Sequence, residues 1–233
     1  MTVLEEIALR QSILYGGLAL GCAVALIYAA GFCYRGPSRI KTGVKAVPLV
    51  VFAVAAQVNF ANPLIVVALA LSALGDIFLS RTGQRAFVLG LAAFALAHLA
   101  YALVFSGLLD GEAASRLLDV PLLPALALVA LALSTEVWLV PHTGALRAAV
   151  RVYVVLITLM GLTALSLPPE RALAVWGAFA FILSDVLLAV QLFRMGPGSR
   201  WQVTVSVLLW LLYVAGQAAI LAGAGFARPL FYL

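Results

Sequence analysis

Three acidic side chains, Asp76, Glu136 and Asp185, fall inside long apolar stretches of this chain. A carboxyl group in such surroundings can hold or give up a proton, and two of them can divide the roles of acid and base. Other polar groups share the same kind of stretch. His98 and Tyr101 are three residues apart, and Tyr213 and Gln217 are four apart, so each pair lies on one helix face. Ser72 precedes Asp76 by one turn and Ser80 follows it by one, and Gln57, Asn59 and Gln191 are further polar residues in or beside apolar segments. This set suits proton transfer at an apolar substrate. Each residue also has a plainer reading. An Asp pairs with Lys45 or Arg81 and locks helices together, Glu136 reaches the headgroups, and Tyr or Gln makes an interhelical hydrogen bond.

The elements that position these groups follow from composition. Of 233 residues, 65% are hydrophobic and 10% are charged, and the mean hydropathy is +1.16. Ordinary soluble domains are about 45–50% apolar and about 25% charged. A soluble fold of this length has no way to hide so much apolar surface. A soluble enzyme, a disordered chain and a disulfide-rich secreted scaffold are excluded, and an all-α polytopic membrane protein remains. Hydropathy and turn residues predict eight transmembrane helices, near 12–34, 44–60, 64–80, 86–108, 120–140, 150–167, 172–193 and 201–223, forming a single domain over 1–233. The first segment carries Glu5 and Glu6 where a signal peptide has positive charge, so it reads as a retained helix.

Charge placement orients the bundle. Ten of the 14 basic residues fall on one side: Arg35, Arg39, Lys41, Lys45, Arg81, Arg85, Arg147, Arg151, Arg194 and Arg200. The other side holds Arg10, Arg116, Arg171 and Arg228 with Glu5, Glu6, Asp110, Glu112, Asp119 and Glu170. The positive-inside rule then puts both termini outside the cytoplasm, in a bacterial plasma membrane. The net charge of +5 fits contact with anionic lipids, and nucleic acid is not expected as a partner. Cys22 and Cys33 are about 16 Å apart along a helix, too far for a disulfide. Leu74 to Leu79 echoes Leu183 to Leu188, which fits either a parallel four-plus-four internal repeat or chance similarity between apolar segments. No spacing demands a metal, although Asp76, Asp185 and His98 would supply three ligands.

Five segments together resemble the YhhN-like lysoplasmalogenase family. Lys45-Ala46-Val47-Pro48 is similar to its Lys-Pro-containing helix start, with Ala46 where the family has proline. Gly75-Asp76 resembles its Gly-Asp segment, and Gly90, Phe94, His98 and Tyr101 match a Gly-x-x-x-Phe-x-x-x-His-x-x-Tyr stretch. Phe181, Ser184 and Asp185 resemble its Phe-x-x-Ser-Asp, and Tyr213 with Gln217 its Tyr-x-x-x-Gln. The resemblance implies hydrolysis of the vinyl ether of a lysophospholipid to a fatty aldehyde and glycerophosphocholine or glycerophosphoethanolamine, without an organic cofactor. Asp76 and Asp185 would then be the carboxyl pair, and His98 and Tyr101 would orient water or a carboxylate. Tyr213 and Gln217 would bind the glycerol, and Lys45 the phosphate. Two other classes fit the same residues: a proton-coupled transporter or channel, and a lipid-binding membrane protein whose polar groups only lock helices. Oligomeric state is not legible.

Overall fold

A computed structural model of the chain describes residues 2–109, 120–196 and 198–231. Asp110, Glu112, Arg116 and Asp119 lie outside them. Eight α-helices run through the described residues: α1 (Val3–Gly31), α2 (Arg39–Val58), α3 (Pro63–Leu79), α4 (Gln84–Gly107), α5 (Leu122–Trp138), α6 (Arg147–Leu165), α7 (Ala172–Phe193) and α8 (Gln202–Ala224). Short 3₁₀ turns join α5 to α6 and α6 to α7. All but α3 are long and apolar enough, with any adjoining 3₁₀ turn, to cross a membrane. The 17 residues of α3 span about 26 Å, at the lower limit for a crossing. The protein is thus an all-helical, multi-pass integral membrane protein.

Local chemistry explains where helices begin. The α1 helix starts at Val3, nine residues before the apolar run, because Thr2 and Glu5 form a reciprocal capping box. Ser38 accepts a hydrogen bond from the Lys41 amide at 3.1 Å, so the basic turn Arg39–Lys41 is helical and joins α2 five residues earlier than hydropathy predicts. Lys41 and Lys45 consequently lie one turn apart on one face. Asn62 caps α3 ahead of Pro63, a first-turn position where the missing N–H costs nothing. Gly83, at φ +103°, makes the turn into α4 in a region that L side chains avoid. At the far end, the buried Arg171 donates to the carbonyls of Gly223, Phe226 and Ala227 and closes the C-terminus of α8.

Contact runs round a ring: α1 on α2, α2 on α3, α3 on α4, α4 on α6, α6 on α7, α7 on α8, and α8 back onto α1 and α2. The α5 helix packs on α6. Small residues set the closest approaches, as expected where van der Waals packing drives helix association in lipid. Gly177 of α7 and Gly216 of α8 face each other so tightly that a Cβ on either would sit 2.8 Å from the other's carbonyl oxygen. A Cβ on Gly75 of α3 would meet the Phe94 ring of α4 at 2.5 Å. These contacts fix the registers of the two helix pairs that carry Asp76, His98, Asp185 and Tyr213.

Candidate functional site

Asp76 sits near the end of α3 with its side chain 1% exposed. One oxygen lies 2.9 Å from Lys45 Nζ, and the other accepts from the Tyr213 hydroxyl at 2.8 Å. Both oxygens of the buried acid are therefore satisfied, and its charge is matched by an ammonium from α2. Trp210, one turn before Tyr213 on α8, donates from its indole to the Ala25 carbonyl of α1 at 2.9 Å. Four helices thus converge on the ion pair. Beside it, Tyr101 donates to Gln217 Oε1, and Gln217 Nε2 donates to Ser72 Oγ at 3.0 Å, tying α4 to α8 and α3. Tyr101 and Gln217 are fully buried.

Asp185 sits in a different setting. Its side chain, 12% exposed, faces an apolar cleft lined by α3 to α7, together with Tyr153 of α6. The Tyr153 hydroxyl donates to Asp185 Oδ2 at 2.5 Å. His98 Nε2 lies 3.4 Å from the same oxygen and makes no hydrogen bond, although the ring is completely buried. The other ring nitrogen, Nδ1, is 2.7 Å from the Phe94 carbonyl. A carbonyl only accepts, so Nδ1 carries a proton. In a neutral ring Nε2 then presents a lone pair toward the carboxyl. Two lone pairs facing each other in a dry interior repel, unless one proton lies on either Asp185 or His98. The contact exceeds hydrogen-bond length by a few tenths of an ångström, a gap that active sites commonly close when substrate binds.

Phe181 links the two settings. Its ring stacks on His98 at 4.4 Å and packs on Tyr213 at 5.4 Å. Each carboxyl has its own partners, Asp76 in Lys45 and Tyr213 and Asp185 in Tyr153. Among the described residues no group of three His, Cys, Asp or Glu gathers as ion ligands, so Asp76, Asp185 and His98 do not form such a set.

The remaining sequence-predicted groups divide clearly. Lys45 is held by Asp76 and reaches a second, basic pocket; Tyr213 and Gln217 line neither that pocket nor the cleft. Glu136 is exposed and makes a bidentate pair with Arg151, 2.8 Å at each contact. Asn59 bonds its own helix at Ala55 O, and Gln191 bonds Ser206. Tyr153 was not singled out by sequence reasoning. Its only signal is a lone tyrosine in a short apolar helix, which is no different from that of a packing residue.

Comparison with known proteins places the chain in a family. The family model described as YhhN family matches residues 40–224. A protein named lysoplasmalogenase from Mycobacterium bovis is 32% identical over 92% of this chain and 82% of its own length. A lysoplasmalogenase from Mycobacterium tuberculosis matches to the same extent. No solved structure gives a significant match.

Proposed function

The chain belongs to the YhhN family, and from that premise we propose that it is a membrane hydrolase that cleaves the vinyl ether of a lysoplasmalogen. The products are a fatty aldehyde and glycerophosphocholine or glycerophosphoethanolamine. The names of the two mycobacterial relatives support the reaction class. The observation that carries the reading is a largely buried acid, Asp185, that opens on an apolar cleft and is backed by Tyr153 and by a buried imidazole whose Nε2 makes no hydrogen bond.

Vinyl ethers break down through protonation of the alkene carbon farther from oxygen. Asp185 delivers that proton, and the adjoining carbon and oxygen share the positive charge of an oxocarbenium ion. The Asp185 carboxylate, now negative, stabilises the cation and takes a proton from the water that adds to it, following the two-stage logic of glycoside hydrolysis. The resulting hemiacetal collapses to aldehyde and alcohol. Overall one water is consumed and no redox change occurs. His98 exchanges a proton with Asp185, and Tyr153 holds the carboxyl in place. Asp76 acts at one remove: it fixes Lys45 and Tyr213, and through Phe181 it supports the packing around His98. Asp185 is the catalytic residue in this scheme and Asp76 a positioning residue. Tyr101 and Gln217 fix helices around the site.

The same reading gives eight crossings, with α3 as the eighth, and both termini on the outer side of a bacterial plasma membrane. The excess of basic residues on the face where α2, α4, α6 and α8 begin supports this orientation. The test is aldehyde release from a 1-alkenyl lysophospholipid by the purified protein in detergent or vesicles. Release that is lost in Asp185→Asn is expected. Full activity in Asp185→Asn would overturn the carboxyl mechanism, and no release from any vinyl ether lipid would overturn the substrate.

A further inference from the structure

The basic pocket has no role in the chemistry described so far. It opens where α2 and α8 begin and α3 and α7 end, has a volume of ≈ 220 Å³, and is lined by Lys41, Lys45, Arg81, Gln191 and Ser206 among others. None of its lining residues is acidic. Asp76 neutralises Lys45 from behind. Lys41 meets only the neutral carbonyls of Cys33 and Arg35, and Arg81 has no ion-pair partner among the described residues. Two positive charges are left without a counter-charge, beside the first turn of α2, whose free N–H groups add to the positive field. A pocket built in this way fits an anion with several acceptor oxygens.

The pocket adjoins the catalytic cleft. Leu79, Phe87, Leu188 and Leu192 line both. Leu188, about one turn after Asp185 on α7, stands on the wall that the two share. A molecule with its anionic end on Lys41 and Arg81 and its chain among the α5, α6 and α7 side chains would carry its ether past Asp185.

We propose that this pocket is the phosphate subsite of the enzyme: Lys41 and Arg81 hold the phosphodiester of a lysophospholipid whose chain fills the apolar cleft. The assignment moves the phosphate contact from Lys45, which Asp76 occupies, to the two cations beside it. It also separates the products. The glycerophosphodiester leaves through the basic face, and the aldehyde is left on the apolar side. The proposal rests on the hydrolase reading, so its test needs a measurement that does not depend on turnover.

The experiment compares wild type, Arg81→Gln, Lys41→Gln and, as a control for general surface charge, Arg85→Gln, an exposed cation outside the pocket. Binding is measured with an uncleavable 1-alkyl glycerophosphocholine and with the phosphate-free 1-alkylglycerol. Turnover is measured with the two corresponding 1-alkenyl lipids. Loss of one charge-assisted contact is expected to weaken binding of the phosphate-bearing lipid at least about tenfold relative to the phosphate-free one. The same relative fall is expected in kcat/KM, carried by KM. Arg85→Gln leaves the ratio unchanged. Arg81 makes no contact on which the fold depends, so Arg81→Gln decides the matter even if Lys41→Gln fails to fold. Glycerophosphocholine and inorganic phosphate serve as competitors. Competition by either marks a site that takes phosphate without a chain, and a variant effect without competition marks one that takes it only on a lipid. An unchanged ratio in Arg81→Gln, or an equal fall for both lipids, overturns the subsite. Phosphate-dependent binding without any turnover would leave the subsite standing and overturn the hydrolase.

Discussion

Asparagine substitution at the two aspartates separates their roles. In Asp76→Asn, the amide NH₂ must replace one oxygen, and each oxygen now faces a donor: Lys45 at 2.9 Å or Tyr213 at 2.8 Å. An NH₂ turned to Lys45 sets donor against donor, one turned to Tyr213 donates to the phenol oxygen and leaves the phenol proton without its acceptor, and in both cases Lys45 loses the carboxylate that pairs with it. Breaking a buried ion pair by removing one partner costs about 3–5 kcal/mol. For a domain of this size each kcal/mol lowers Tm by about 2–4 °C, so the melting point should fall by roughly 6–20 °C. Asp185→Asn differs. Asp185 has no lysine or arginine opposite it, and the asparagine has two workable orientations: with its oxygen in the Oδ2 place it still accepts from Tyr153, and with its NH₂ there it can donate to the unpartnered His98 nitrogen. The fold should lose less than about 1 kcal/mol. Aldehyde release should nevertheless fall by about 10²–10⁴, the usual worth of a positioned proton donor. Thermal unfolding in detergent and a coupled aldehyde assay measure both quantities on the same preparations. The double variant Lys45→Met with Asp76→Leu should recover most of the stability lost in Asp76→Asn, because an apolar pair carries no stranded charge. The reasoning is refuted if Asp185→Asn melts as low as Asp76→Asn, or if Asp76→Asn melts with wild type.

Tyr153→Phe removes the hydroxyl that holds Asp185 and keeps the ring against His98; kcat should fall about 10–100-fold with KM unchanged, and unchanged kcat would remove Tyr153 from the site. Gly75→Ala drives a methyl to 2.5 Å from the Phe94 ring, which should destabilise the fold by about 1–3 kcal/mol and disturb His98 through the Phe94 carbonyl; a wild-type melting curve would show that the helices separate freely. Cys33 lies beyond the end of α1, and burial pushes its thiol up to about 11 against the pull of Lys45 and Lys41. In a Cys22→Ser background its alkylation should be very slow at neutral pH and accelerate as pH rises toward that value; rapid labelling at pH 7 would contradict the half-buried placement.

The membrane class, the order of the helices and two of the site's side chains were legible because each depends on the sequence locally. An apolar run of sufficient length spans a bilayer whatever packs beside it, and a carboxyl within such a run is conspicuous at a cost of about 2.5–3.5 kcal/mol on insertion scales. Helix starts were less legible, because capping outweighs hydropathy at the ends: Thr2 and Ser38 extend α1 and α2 into charged segments. Pairings between side chains were legible only as alternatives. That Lys45 belongs to Asp76 was one of several available partners, and that Tyr153 belongs to Asp185 left no trace, because it depends on how α6 and α7 are set against each other. Register is written in the glycines, but a glycine does not name its partner. Gly75 reads as a motif residue next to an acid, and Gly90 and Phe94 as parts of another motif, yet Phe94 lies over Gly75 and Leu79 over Gly90. The spacing Gly90-Phe94-His98 is then a single helix face with two jobs. Its first two residues seat α4 on α3, and the third, held by the Phe94 carbonyl, is thereby aimed at Asp185 on α7. Packing and chemistry share one stripe, so a change that only loosens α3 against α4 should reach the reaction through His98.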